Sequence, residues 1–227
     1  MRETCRTAVL LTLFALAMAQ VEASVVMHLR SLYYPQQPLR VFPLVLLSHH
    51  DLAIELLREA ATLVMFLCVV LLAVRDPGRR FAAFCYVFGL WDLGYYLWLE
   101  LMIGWPVQWL EWDVLFLLPW PWFGPWLAAA LIALLLVAWG GWLLFTGRQP
   151  GFSRASLLQF ATGCLVALAT FLWSALPLLT AGEQAFAGYR PGDFPWLIYV
   201  VGYLLMAQGL WRALIDRSDA GAEHTHV

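Results

Sequence analysis

Glu55, Arg58, Glu59 and Thr62 stand three and four residues apart in a stretch that is otherwise almost wholly apolar. On a helix that spacing puts all four side chains on one face, with the guanidinium in reach of both carboxylates. Asp92, Tyr95, Tyr96 and Glu100 repeat the pattern further along the chain, Glu22 and Arg30 lie in an earlier apolar stretch, and Asp113 follows in a Trp-rich one. Carboxylates, a guanidinium and phenols so arranged suit three chemistries: binding a cation or moving protons, holding a divalent metal, or gripping a charged headgroup or small molecule. The candidate binding residues are therefore Glu22, Arg30, Glu55, Arg58, Glu59, Asp92, Tyr95, Tyr96, Glu100 and Asp113.

How much these charges matter depends on the medium around them. The 227 residues are 63% hydrophobic and 12% charged, against roughly 25% charged in a soluble domain, so there is about half the charge needed to coat a globule. Several apolar runs approach the roughly 20 residues that cross a hydrocarbon core as a helix. The predicted fold class is an all-α polytopic transmembrane helix bundle forming a single membrane domain. Its spans are placed at about 8–29, 52–74, 81–103, 126–145, 157–179 and 194–214. Arg2, Arg6 and Ala17-Met18-Ala19 give the first run features of a cleavable signal. Its apolar character continues past that point, so six spans are expected, or five if it is removed. No internal repeat points to an inverted-repeat transporter.

The arginines orient the bundle. Arg2, Arg6, Arg75, Arg79, Arg80, Arg148, Arg154, Arg212 and Arg217 fall on one side, and only Arg30, Arg40 and Arg190 on the other. The positive-inside rule then places both termini in the cytoplasm. The 104–125 segment, rich in Trp and Pro, is too short in its apolar part to span and is expected to lie at the outer interface, as an aromatic belt or a lid. Residues 218–227 read as a disordered polar tail, His224 and His226 included.

Depth sharpens the pattern of charge. A charge at the bilayer centre costs about 2.5–3.5 kcal/mol by insertion scales, so ionisable groups there are functional candidates by default. At 1.5 Å per residue, Glu22 and Tyr96 fall roughly 10 Å below the outer ends of their helices, Glu59 roughly 12 Å and Asp92 roughly 16 Å. Ionised, Glu22, Glu55, Glu59 and Asp92 carry −4 while Arg58 returns +1. Either some of these carboxylates are protonated or a cation sits among them. The structural alternative is an interhelical network in which Arg58 bridges two glutamates and a tyrosine donates hydrogen bonds.

The cofactor readings are narrower. His49 and His50 precede Glu55 and Glu59, and these four could ligate a divalent metal, although neither HExxH nor ExxH occurs. Haem is not expected, because facing helices lack paired histidines. Cys5, Cys68, Cys85 and Cys164 are scattered and read as packing residues. Nucleic acid is excluded by the absence of a basic cluster. All thirteen basic residues are Arg, and with no Asn there is no glycosylation sequon, which fits a bacterial protein.

Phe88-Gly89-Leu90-Trp91-Asp92-Leu93-Gly94-Tyr95-Tyr96, Gly104-Trp105-Pro106, Trp112-Asp113-Val114-Leu115-Phe116 and Pro119-Trp120-Pro121-Trp122-Phe123-Gly124-Pro125 form a run of motifs, joined by Glu22, Arg30-Ser31-Leu32-Tyr33-Tyr34-Pro35 and Arg58-Glu59-Ala60-Ala61. In these the chain resembles a group of bacterial multi-span membrane proteins with no assigned activity, over about residues 20–130. The resemblance implies membrane placement and nothing mechanistic. The expectation is thus a bacterial inner-membrane protein with a polar site in the outer half of its first three helices. That site would bind a small molecule, lipid headgroup or cation, with metal-assisted catalysis among its uses. The partners are the bilayer and such a ligand; no protein partner can be named. The alternative is a non-catalytic subunit or scaffold whose polar network only packs helices.

Overall fold

A computed structural model describes residues 2–37, 39–178 and 183–222. The chain is mostly helical: α1 Arg2–Tyr33, α2 His49–Ala73, α3 Pro77–Ile103, α4 Trp126–Thr146, α5 Arg154–Trp173 and α6 Trp196–Ala222, with a short 3-10 turn at Glu183–Phe186. Local chemistry explains where the helices begin and end. Ser48, Asp76 and Ser153 cap α2, α3 and α5 by accepting from the amides of Asp51, Arg79 and Ser156, and Pro77 opens α3, where its missing N–H costs nothing. Gly104 and Gly147 end α3 and α4 at φ of 68° and 71°, a left-handed conformation that a Cβ would strain.

Five of these helices, α1, α2, α4, α5 and α6, are long and apolar enough to cross a membrane. The expected third span is helical throughout but is not among the five. Asp92, Glu100 and the Trp, Tyr and Gly residues of α3 dilute its apolar character. The reason lies in its position: α3 packs against α1, α2 and α4, and its buried surface faces protein on several sides. The final helix runs to Ala222, into the stretch expected to be a tail, and residues 223–227 lie outside those described.

The all-α expectation needs one correction. Within 104–125 lies a two-stranded antiparallel hairpin, β1 Trp112–Phe116 and β2 Trp122–Pro125, with Asp113 opposite Gly124 and Val114 opposite Phe123. Pro119, Pro121 and Pro125 block a helix there, while Val114 and the aromatic residues of the two strands favour extended backbone. A register shift between Val114 and Phe116 marks a bulge. The hairpin rests on α5 so closely that a Cβ at Gly124 would stand 2.7 Å from the Phe171 ring.

Small residues set the tightest helix contacts. Along α1, Ala8, Ala15, Ala19 and Ala23 are fully buried, and a Cβ at Gly94 of α3 would lie 2.8 Å from the Cβ of Ala19. Helices α5 and α6 meet backbone to backbone, since a Cβ at Gly163 would stand 2.5 Å from the Met206 amide nitrogen and 2.7 Å from the Gly202 carbonyl oxygen. Such close approach is how helices associate where lipid offers no hydrophobic drive. Gly163→Ala is expected to prise α5 from α6 and cost about 1–3 kcal/mol, the range for overpacking a filled interior. A lowered unfolding temperature in detergent would show this, whereas Gly192→Ala, with open space around it, leaves that temperature unchanged.

Candidate functional site

Three helices and the hairpin bring their polar groups to one place. The buried stripe of α2 is Glu55, Glu59, Thr62, Phe66 and Val70, polar where the helix begins and apolar where it ends. The stripe of α1 runs the opposite way, from alanines to Glu22 and then Arg30. Because α1 and α2 are antiparallel neighbours, both polar halves fall at the same end.

Arg58 joins them. Its Nε donates to Glu55 Oε2 at 2.9 Å and its Nη2 to Glu55 Oε1, while Nη1 crosses to Glu22 Oε2 on α1. The planar fork suits this two-sided pairing, which a lysine could not reproduce. Thr62 Oγ1 donates to the Arg58 carbonyl at 3.0 Å, on the same side of the helix.

A second pair anchors the hairpin. Arg30 Nη2 donates to Asp113 Oδ1 at 3.0 Å, and both side chains are about 95% buried. The Val114 amide donates to the same oxygen at 3.0 Å, and the Tyr95 hydroxyl to Oδ2 at 3.3 Å. Burial pushes the Asp113 carboxyl above the usual carboxylate range, with the Arg30 charge and these hydrogen bonds opposing it. The Arg30 guanidinium also lies 4.0 Å over the ring of Trp105, a cation–π contact strengthened by desolvation.

Glu59 makes the third attachment, to backbone. Both its carboxylate oxygens accept from the Leu117 amide at 3.0 Å, and Oε2 accepts from Leu118 at 3.2 Å. These are two amides that the end of β1 would otherwise leave unpaired. On the other flank, Tyr33 donates to Asp51, and the Val45 amide donates to the Tyr34 hydroxyl at 2.9 Å, holding the segment after α1 against the site. Burial raises the Tyr34 phenol.

These attachments enclose a cavity of about 150 Å³, with Glu22, Arg30, Glu55, Arg58, Glu59, Asp92, Tyr95, Tyr96 and Asp113 on its walls. Five carboxylates therefore face two guanidiniums. Four of the carboxylates are engaged as described. Asp92, one turn below Tyr95 on α3, has no hydrogen bond or ion pair among the described residues. Two buried donors on the same walls, Arg30 Nη1 and Trp91 Nε1, also lack a partner.

The remaining candidates fall elsewhere. Glu100 is exposed and borders a separate surface groove with Trp109 and Trp126. Tyr96 borders both this groove and the cavity, with the Trp105 and Trp126 rings 6.1 and 5.3 Å from its own. His49 and His50 are exposed on the first turn of α2, with His50 Nδ1 3.5 Å from Asp51 Oδ1. With Glu55 held by Arg58 and Glu59 by amides, the four expected metal ligands do not converge. No group of three or more His, Cys, Asp or Glu among the described residues is arranged to hold an ion. Arg190 is exposed and outside the cavity. The cavity walls come from residues before α4, the hairpin and the segment after α1 included.

Several participants left no mark in the sequence. The Leu117 and Leu118 amides are backbone, which residue type does not reveal. Trp91 and Trp105 resemble any other indole in a Trp-rich chain. Only the adjacency of Trp91 to Asp92 was available as a signal.

Removing one member of a buried ion pair strands the other charge, at about 3–5 kcal/mol, whereas replacing both with apolar residues is often neutral. Asp113→Ala should therefore lower the unfolding temperature in detergent far more than the double change Arg30→Met with Asp113→Leu. Glu59→Gln leaves one carbonyl oxygen for two amides. Hydrogen exchange at Leu117 and Leu118 is expected to accelerate about tenfold or more, consistent with losing a charge-assisted bond, while exchange in α5 stays as it was.

No family model matches this chain, and no match to it was found among curated proteins or solved structures.

Proposed function

We propose that this is a bacterial inner-membrane protein crossing the bilayer six times, α3 included, with both termini in the cytoplasm, whose cavity binds a small molecule or lipid headgroup at the outer leaflet. The observation that carries the reading is the combination of a polar cavity of about 150 Å³ with unmet bonding capacity on its walls. Buried donors without acceptors are uncommon, and each calls for a water, an ion or a ligand. The cavity is large enough for any of these. Binding is the core of the reading, since no nucleophile–base pair stands among the wall residues.

A scaffold role is the second reading, favoured by a specific observation. Glu22, Glu55, Glu59 and Asp113 are each consumed in joining one element to another, and a network of that kind assembles helices without any ligand.

Native mass spectrometry of the purified protein separates the two. Under the binding reading, wild type carries a retained small molecule, and Leu29→Trp, which fills the cavity from its apolar side, loses that mass while keeping its unfolding temperature. If wild type retains nothing and no added lipid or small molecule raises its unfolding temperature, the scaffold reading stands. Orientation is tested with single cysteines in a background lacking the four native ones: a cysteine at position 79 is expected to resist labelling from the periplasm.

A further inference from the structure

The ligand's chemistry can be taken further, resting on the binding reading above. Pairing the wall charges group by group leaves an uneven remainder. Arg30 and Asp113 cancel. Arg58 satisfies both Glu22 and Glu55 in hydrogen bonds but only one of them in charge. Glu59 is met by amide dipoles, which hold a carboxylate without neutralising it. Asp92 is met by nothing. The remainder is acidic, and the one carboxylate still free to bond is Asp92.

An inorganic cation would answer the charge but not the rest of the wall. Arg30, 5% exposed, offers Nη1, and Trp91, 6% exposed, offers its only polar atom. Both are donors, which a metal ion cannot use and which an anion would use only by adding to the negative excess. A ligand that suits all three groups carries a positive, hydrogen-donating centre for Asp92 and a neutral oxygen for the orphaned donors. The spacing agrees: Asp92 lies three residues, about 4.5 Å of helix rise, below Tyr95, which meets Arg30 on Asp113. Three bonds between the nitrogen and the oxygen, as in N–C–C–O, suit a gap of that order. The rest of the wall is largely apolar, with Val26, Leu29, Val41 and Leu44, and carries the phenols of Tyr33, Tyr34 and Tyr96.

We infer that the cavity takes a primary ammonium compound with a neutral oxygen three bonds from the nitrogen, the ammonium on Asp92 and the oxygen on Arg30 Nη1 or Trp91 Nε1. The same chemistry occurs in a free amino alcohol and in the head of an amphiphilic one, and the apolar wall accommodates a chain.

The test uses the full-length protein in detergent, with binding read by isothermal titration and by the shift in unfolding temperature. The probes are ethanolamine, 2-amino-1-dodecanol, dodecylamine and 1-dodecanol. Saturable binding of 2-amino-1-dodecanol is expected, at least about tenfold tighter than 1-dodecanol, because the alcohol lacks the charge-assisted bond. Asp92→Asn should abolish that preference. Trp91→Phe, which keeps the ring but not the donor, should bring 2-amino-1-dodecanol down toward dodecylamine, and it serves where Asp92→Asn fails to fold. Ethanolamine binding as tightly as the amphiphile would assign the site to a soluble amine; much weaker binding assigns it to the amphiphile. Equal binding of amine and alcohol overturns the inference yet leaves the cavity a ligand site. Stabilisation by sodium or magnesium ions alone, or by an alkyl sulfate in preference to the amine, likewise overturns it. If no probe binds and wild type retains no mass, the binding reading fails with it.

Discussion

Hydrocarbon offers a buried charge no water, so a guanidinium or carboxylate among these helices needs a partner from the protein or from something bound to it. Arg58 is where that constraint acts most strongly. Its fork reaches Glu55 on its own helix and Glu22 on the next. Further along α2, Phe66 and Val70 pack into the apolar core with α1 and α3. At the polar end the tie between α1 and α2 is one of charge, and a gap between the elements persists there as a cavity. Where Ala19 of α1 meets Gly94 of α3, by contrast, small residues close the distance.

The hairpin depends on the same constraint from the other side. Two strands alone are marginal in water or at an interface, and here polar anchors hold them. Asp113 in β1 takes Arg30 and Tyr95, and the turn after β1 hands its amides to Glu59. Aromatic packing completes the seat: Phe123 is 1% exposed, and the Trp122 ring stacks nearly parallel to Phe171 of α5, 8° off. Each anchor therefore serves twice, once to discharge a buried group and once to roof the site. Binding and assembly draw on the same residues, and only the groups left over from assembly are available to a ligand.

Much of this was legible in residue order. The helical spacing of Glu55, Arg58 and Glu59, and of Asp92, Tyr95 and Tyr96, marked faces that had to turn inward, because lipid would have stranded them. Charge arithmetic exposed the acidic excess. The hairpin was not legible: a stretch with five tryptophans and four prolines reads as an interfacial belt unless strand alternation is weighed against the run of prolines. Glu100 was grouped with Tyr96 by periodicity, and the two do border one groove, but periodicity could not say that Tyr96 also reaches the cavity and Glu100 does not. His49 and His50 sat close to Glu55 in sequence, but two turns of helix carry a side chain far from its neighbour's environment.

The order of residues by itself determined the medium and the faces. Composition sets whether a chain can be coated by water, and a helix repeat of 3.6 residues sets which side chains share a side. Tertiary structure alone decided which partner each charge took: Arg58 with two glutamates, Arg30 with Asp113 from a distant strand, Glu59 with bare amides. Those choices depend on distances across elements, which no local rule carries, and on backbone donors common to every residue type. Wall groups left without partners among the described residues, such as Asp92, Arg30 Nη1 and Trp91 Nε1, could be identified only once the others had been paired.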